Sequence, residues 1–275
     1  MSCKICNSTD ATKFKFGSIG LVKCNNCDIT FLEHFPDNKI LETLYKDNYS
    51  ISTNNSDAEL RRSVQQIENY HIFNIINKFN PNGNKLIDIG CDKGFFIDEA
   101  RRNNFEVFGV ELNKNSQSYC YNIGLDVRQN IEDFDLVFDL ITMNHSLEHF
   151  TNPNEYLIKL KDYLVENGLL VIRVPAFDSV WSKIIKNKWI WFQADNHYFH
   201  YSINSMKYLL EKNKFEVMDI YHSNPSKLTH YLKYLISRIE FSKSGLIPFD
   251  LKIILTQALK NITATEIFAI AKNIK

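Results

Sequence analysis

The run Lys85-Leu86-Ile87-Asp88-Ile89-Gly90-Cys91-Asp92-Lys93-Gly94-Phe95-Phe96 constrains the fold most. It reads as a strand entering a tight turn and leaving as a helix. Its glycines let the backbone approach a ligand closely, and the amides opening the new helix can face that ligand. The pattern continues. Strands are expected at 85–89, 106–111, 139–143, 169–174 and 215–221, with helices between them at about 94–103, 113–123, 153–166 and 202–213. Glu266-Ile267-Phe268-Ala269-Ile270-Ala271 reads as a closing strand. Strands separated by helices imply an α/β chain with a doubly wound, mostly parallel sheet and right-handed crossovers.

The glycine turn is G-x-x-x-G, a poor match to the G-x-G-x-x-G of a pyrophosphate-binding loop. Glu111 closes the following strand, where a carboxylate accepts hydrogen bonds from both ribose hydroxyls of a nucleoside.

Three separated motifs, D-I-G-C-D-K-G from Asp88, V-E-L-N from Val110 and F-D-L-I-T-M-N-H-S-L-E-H-F-T-N-P from Phe138, resemble the class I S-adenosylmethionine-dependent methyltransferases in order and spacing, over roughly residues 60 to 222. The resemblance implies a Rossmann-like domain. It implies Asp88, Gly90, Cys91 and Gly94 along the methionine end of S-adenosyl-L-methionine, Glu111 on the ribose, Leu112, Asn130 and Ile131 flanking the adenine, and Asn144 beside the sulfonium. The family usually has glycine where this chain has Asp92; Asp tolerates unusual dihedrals, so the departure reads as variation.

The N-terminus holds Cys3-x-x-Cys6 and Cys24-x-x-Cys27, separated by seventeen residues. That is the spacing of a zinc site. MSCKICNSTD contains no secretory h-region, so reduced thiols and a cytoplasmic location are expected, with metal binding favoured over disulfides. Four thiolates complete a tetrahedron and leave no open position, which makes the zinc structural. Methyltransferases with this layout resemble those of sugar and cell-surface glycan pathways, including sugar C-methyltransferases. Asp28 stands where the usual C-x-x-C-G exit has glycine.

These boundaries divide the chain into a zinc-ribbon-like module (1–34), a helical connector (35–80) and a methyltransferase domain (81–275) with an insertion at about 224–262. Leu60, Val64, Ile67, His71 and Ile75 mark one face of a long connector helix, and Leu228, Tyr231, Leu232, Leu235 and Ile239 one face of an insertion helix. No run of 18 apolar residues suggests a membrane span.

Two histidine clusters carry the candidate chemistry. His145-Ser146-Leu147-Glu148-His149 matches the inverted zincin motif H-x-x-E-H, but it follows a buried strand and precedes the loop Thr151-Asn152-Pro153, not the long helix a protease needs. Ubiquinone-pathway O-methyltransferases have a similar E-x-x-E-H segment thought to hold a divalent metal. His145 replaces its first glutamate, which departs from a hard-cation ligand set. A second divalent ion on His145, Glu148 and His149 and a purely loop-anchoring role for Glu148 are both open readings. The segment from Trp189 to Ser202 contributes His197; its aromatic residues suit either a sugar or ring acceptor or plain lid packing.

The expected activity is methyl transfer to oxygen or carbon of a small molecule, probed through His149 and His197 as candidate bases with His145 beside them. A nucleotide-linked sugar or cell-surface glycan unit is the expected acceptor, which places the chain in polysaccharide biosynthesis. Lys+Arg and Asp+Glu both number 32; zero net charge argues against wholesale phosphate-backbone binding, so no nucleic-acid partner is expected. An RNA methyltransferase gripping RNA through its zinc module, and an inactive methyltransferase-fold scaffold, are the competing classes.

Overall fold

The computed structural model describes residues 2–35, 69, 72–79, 81, 83–189, 191–223 and 265–274. The expected face residues Leu60, Val64, Ile67 and His71 and the whole insertion helix lie outside them; Ile75 falls in a helical segment at 72–78.

In the alternating region the strands are β4 (Lys85–Ile89), β5 (Glu106–Val110), β6 (Asp126–Arg128), β7 (Phe138–Asn144), β8 (Leu164–Pro175), β10 (Phe215–Ser223) and β11 (Glu266–Asn273). The helices are α1 (Phe95–Arg102), α2 (Lys114–Asn122), α3 (Pro153–Tyr163), α4 (Val180–Ile185) and α5 (Ile203–Lys212). Sequence signals explain several of their starts. Asn113 Oδ1 accepts from the amides of Asn115 and Ser116 at the head of α2. Asn152 caps α3, with Pro153 at its first position, where a missing N–H costs nothing. Ser202 and Ser205 form a reciprocal capping box on α5. The helix expected to run to 166 stops at Tyr163, because Leu164 already pairs with Phe138 as the first residue of β8.

The seven strands form one sheet in the order β10-β11-β8-β7-β4-β5-β6. Strands β6, β5, β4, β7 and β8 run parallel. Strand β11 slots antiparallel between β8 and β10, which makes the sheet mostly parallel. Strand β4 pairs with β5 on one side and β7 on the other, so the winding direction switches there. Open α/β sheets form their ligand crevice beyond the carboxyl ends of the strands at that point.

The N-terminal segment folds as β1 (Ala11–Phe16), β2 (Ile19–Cys24) and β3 (Thr30–Leu32). Its sheet is completed by β9 (Phe199–His200), a two-residue strand from the connection that follows β8. The Cys-rich segment and the large sheet therefore share chain. They also share an apolar cluster containing Ile5, Leu21, Phe31, Tyr198, Met206 and Leu209. Polar ties reinforce the seam: Asn154 Nδ2 donates to the Ile5 carbonyl at 3.0 Å, Lys212 Nζ donates to the same carbonyl, and Ser202 Oγ donates to Asp28 Oδ2 at 2.5 Å. No helix among the described residues is long and apolar enough to cross a membrane.

Candidate active site at the carboxyl ends of the central strands

The loop after β4 is held by two amides, Gly90 and Cys91, that both donate to the Val110 carbonyl at 2.8 and 3.0 Å. Gly90 has φ +79°, and a Cβ there would lie 2.8 Å from Ser146 Cβ, so the loop packs directly on the segment following β7. Asp92 is left-handed too, at φ 46°. Asp and Asn accept that region more readily than other L residues, and here Asp92 Oδ1 also accepts from Ser116 Oγ at 2.9 Å. The replacement of the family's glycine is thus accommodated locally.

Glu111 follows β5. Its two carboxylate oxygens accept from the amides of Asp92 (2.9 Å) and Asn113 (2.8 Å). Burial pushes its carboxyl above the usual range, with those amides opposing. Leu112, the next residue, is 43% exposed, an apolar surface beside a carboxylate. Asp88 is buried, and its Oδ1 accepts from Thr142 Oγ1 at 2.6 Å and Asn144 Nδ2 at 3.1 Å. Burial pushes it up to about 7 against those bonds. Asp88 and Gly90, Glu111 and Asn144 thus stand at the carboxyl ends of β4, β5 and β7. Gly94 caps α1 in a left-handed conformation. Cys91 is buried beneath the loop, its thiol pushed up by the neighbouring Cys120 thiol and by burial. Asn130 is exposed at the start of a short turn, whereas Ile131 is fully buried in the core.

The segment leaving β7 carries the histidines. His145 is left-handed (φ 52°), stacks on Trp191 with ring centroids 4.6 Å apart, and places Nε2 2.9 Å from Glu266 Oε1. Arg173 Nε and Nη2 donate to the same Glu266 carboxylate at 3.1 and 3.3 Å. Burial lowers the His145 imidazole, but Glu266 and Glu148 outweigh it and raise the ring to about 9. The ring stands between two acids, with Nε2 on Glu266 and Nδ1 3.6 Å from Glu148 Oε1.

Glu148 is 1% exposed, and among the described residues neither of its oxygens has a hydrogen-bond partner. Burial pushes it up, yet the surrounding histidines, His145 first, hold it at about 2. His145 Nδ1 lies 3.6 Å and His197 Nε2 4.0 Å from Glu148 Oε1. His197 is itself buried and pushed down to about 4, chiefly by burial, so it is the neutral member. Its Nδ1 lies 2.9 Å from the Trp191 carbonyl, and His149 Nδ1 lies 2.8 Å from the Asn196 carbonyl. The two rings meet edge to face at 4.7 Å. Glu148, His149 and His197 place their ligand atoms within 4.8 Å of one another. The trio suggested by sequence spacing, His145 with Glu148 and His149, is thus rearranged: His145 is committed to Glu266, and His197 takes its place. Trp189 and Tyr198 are buried, and Trp191 walls the cluster.

Sequence reasoning missed Arg173 and Glu266. Each is a charge inside an otherwise apolar strand, Leu169–Pro175 and Glu266–Ala271, and such a pair of opposite sign was the available signal. His200 and Tyr201 were also missed; both are buried, with His200 Nε2 and the Tyr201 hydroxyl lacking hydrogen-bond partners among the described residues.

The four N-terminal sulfurs, Cys3, Cys6, Cys24 and Cys27, also lie within 4.8 Å of one another. The Cys3–Cys27 and Cys6–Cys24 separations are 3.6 and 3.5 Å, near the roughly 3.8 Å edge of a tetrahedron with zinc–sulfur bonds of about 2.3 Å. Each knuckle turns on a left-handed residue four positions after its first cysteine, Asn7 (φ 62°) and Asp28 (φ 61°). Asp28 occupies the glycine position because a short polar side chain tolerates that region.

A methyltransferase-domain family matches residues 58–220. A tRNA U34 carboxymethyltransferase of Vibrio vulnificus is 24% identical over 155 residues, 50% of this chain and 47% of the relative; the chain spans about half the length of the curated relatives it matches. A SAM-dependent methyltransferase from Archaeoglobus fulgidus superposes with a TM-score of 0.52 at 17% identity, covering 86% of this chain and 100% of that one. The plantazolicin methyltransferase BpumL, in complex with SAH, gives 0.51 at 16% identity, covering 86% and 94%. The match over more than half of the sequence shows that the chain belongs to the methyltransferase-domain family, and the superpositions show the class I S-adenosylmethionine-dependent methyltransferase fold.

Proposed function

We propose that the chain transfers a methyl group from S-adenosylmethionine to oxygen or carbon of a small molecule, a nucleotide-linked sugar or cell-surface glycan unit. One observation carries the reading: Gly90 and Ser146 pack in contact, so the crevice containing Glu111 and the cavity lined by histidines are neighbours. The cofactor supplies an electrophilic methyl on sulfonium. Glu111 fits its ribose because it is a part-buried carboxylate that accepts from loop amides, Asp92 and Asn113, leaving acceptor capacity for hydroxyl donors. Asp88, Gly90, Cys91, Gly94 and Asn144 would follow the methionine end, and Leu112, Asn130 and Ile131 the adenine side, Ile131 from beneath.

For the acceptor, the chain offers His149 and His197. Each has Nδ1 against a backbone carbonyl, which fixes the N–H there and the lone pair on Nε2 in the neutral ring. An imidazole nitrogen so oriented can take the acceptor proton. His145 and Trp191 wall the cavity and exclude water, and the remaining rate comes from holding donor and acceptor in line. The four cysteines hold a structural zinc, supported by their near-tetrahedral spacing. A second reading, an RNA acceptor, is favoured by the tRNA-modifying relatives. Titration calorimetry of the full chain with S-adenosylhomocysteine tests the cofactor half: one site per chain is expected, and no heat of binding would refute it.

A further inference from the structure

We infer that Glu148, His149 and His197 form a second metal site, separate from the four cysteines, that binds one divalent transition ion between the segment leaving β7 and the connection that follows β8. Four observations converge. The three ligand atoms lie within 4.8 Å of one another. The Glu148 carboxylate is 1% exposed with no hydrogen-bond partner among the described residues and with His145 Nδ1 3.6 Å from Oε1, so its oxygens keep lone pairs for an ion. Both imidazoles are oriented by Nδ1 against main-chain carbonyls, Asn196 for His149 and Trp191 for His197. That outer hydrogen bond is the feature that fixes a metal-binding histidine's tautomer and aims Nε2. Finally, the Tyr198 amide donates to the Glu148 carbonyl at 2.9 Å, so the two segments contributing ligands are joined by main chain.

The donor set selects the ion. Two imidazole nitrogens and one carboxylate suit zinc, iron(II), cobalt or manganese and disfavour magnesium and calcium, which want oxygen. Three protein ligands leave a position open, the mark of a catalytic rather than a structural site. Cis ligands around a tetrahedral ion with bonds of about 2.1 Å stand about 3.4 Å apart; His197 Nε2 and Glu148 Oε1 at 4.0 Å need close by only about half an ångström. His145 stands outside the group of ligand atoms within 4.8 Å of one another; its Nε2 is held by Glu266 at 2.9 Å and its Nδ1 lies 3.6 Å from Glu148 Oε1.

The role of the ion rests on the methyl-transfer reading; the site itself does not. Since Ser146, two residues before Glu148, packs against Gly90, an ion held by Glu148, His149 and His197 would adjoin the loop proposed to hold the methyl donor. An acceptor oxygen placed there is oriented and loses its proton to solvent more easily. In the transfer that oxygen bonds to the methyl carbon while the carbon–sulfur bond breaks, its electron pair remaining on sulfur. With an ion bound, the Nε2 lone pairs of His149 and His197 are engaged, and the base role described above belongs to the metal-free site alone.

The test is a cobalt(II) titration of the full chain carrying one equivalent of zinc, followed by visible absorption, with S-adenosylhomocysteine calorimetry on the same samples. The expected result is one further equivalent of cobalt whose spectrum lacks the intense sulfur-to-metal charge transfer that thiolate ligands produce. His197→Ala and, independently, Glu148→Gln should weaken it by more than the roughly 10–100-fold that loss of an orienting partner costs. His145→Gln should retain it. No added cobalt in a wild-type chain that binds S-adenosylhomocysteine overturns the site and leaves the methyltransferase reading standing. Cobalt binding without S-adenosylhomocysteine binding has the opposite meaning. Unchanged cobalt affinity in both His197→Ala and Glu148→Gln also overturns the site.

Discussion

Replacing Glu111 with Ala separates cofactor recognition from folding. In this structure the carboxylate accepts from the amides of Asp92 and Asn113, and burial already disfavours its charge. Removing it sends two amides at the rim of an open crevice to water, and relieves a desolvated anion. The net loss of stability should therefore be small, about 1–2 kcal/mol. The bound state loses more. Two hydrogen bonds from ribose hydroxyls to an ionised acceptor are worth about 1.5–3 kcal/mol each, so the affinity for S-adenosylhomocysteine should fall by about 10²- to 10⁴-fold. Calorimetry reads the affinity, and urea unfolding reads the stability. An affinity within about threefold of wild type would refute the ribose assignment. A stability loss large enough to account for the binding defect would refute the argument that Glu111 serves the ligand rather than the fold.

Three further outcomes follow from the same geometry. Gly90→Ala puts a Cβ 2.8 Å from Ser146 Cβ at φ +79°, so it should cost at least about 1–2 kcal/mol and weaken cofactor binding; an unchanged melting temperature would contradict the packing of the two loops. Asp88 has its folded pKa raised from 3.8 to about 7, so its contribution is fully present below pH 3.8 and is lost as pH rises towards 7. Asp88→Asn should consequently be more stabilising at pH 8 than at pH 5 by about 3 kcal/mol, measured by urea unfolding, and an equal effect at both would refute the buried-acid account. Cys24→Ser should lose one equivalent of zinc by metal analysis and unfold the N-terminal module at lower temperature, because metal supplies most of the folding free energy of so small a core; full zinc content with an unaltered melting curve would exclude the tetrathiolate site.

The order of the central strands was legible because apolar runs such as Leu86–Ile89 and Leu169–Val174 are local signals bounded by turn residues. Strand β9 was not. Phe199 and His200 carry no periodicity, and their pairing with Phe31 and Thr30 spans most of the chain. The three-residue β6 failed for the same reason. Within the site, Glu111 and the glycine loop were readable because their spacing is set by one strand–turn–helix unit. The Arg173–Glu266–His145 network was not, since Glu266 reaches His145 only when β11 inserts beside β8. Likewise, spacing along one segment groups His145 with Glu148 and His149, whereas the fold delivers His197 from the next connection.

The central claim is methyl transfer to a small sugar-containing acceptor. It is tested most directly by incubating the full chain with S-adenosylmethionine labelled in its methyl group and a cell extract from which the acceptor has not been removed, then separating the label by nuclease digestion and size. The account predicts label in a small-molecule or glycan fraction that nuclease leaves intact, formed with an equal amount of S-adenosylhomocysteine and absent with Glu111→Ala. Label confined to tRNA and released as nucleosides, or none transferred while the donor is bound, would contradict it.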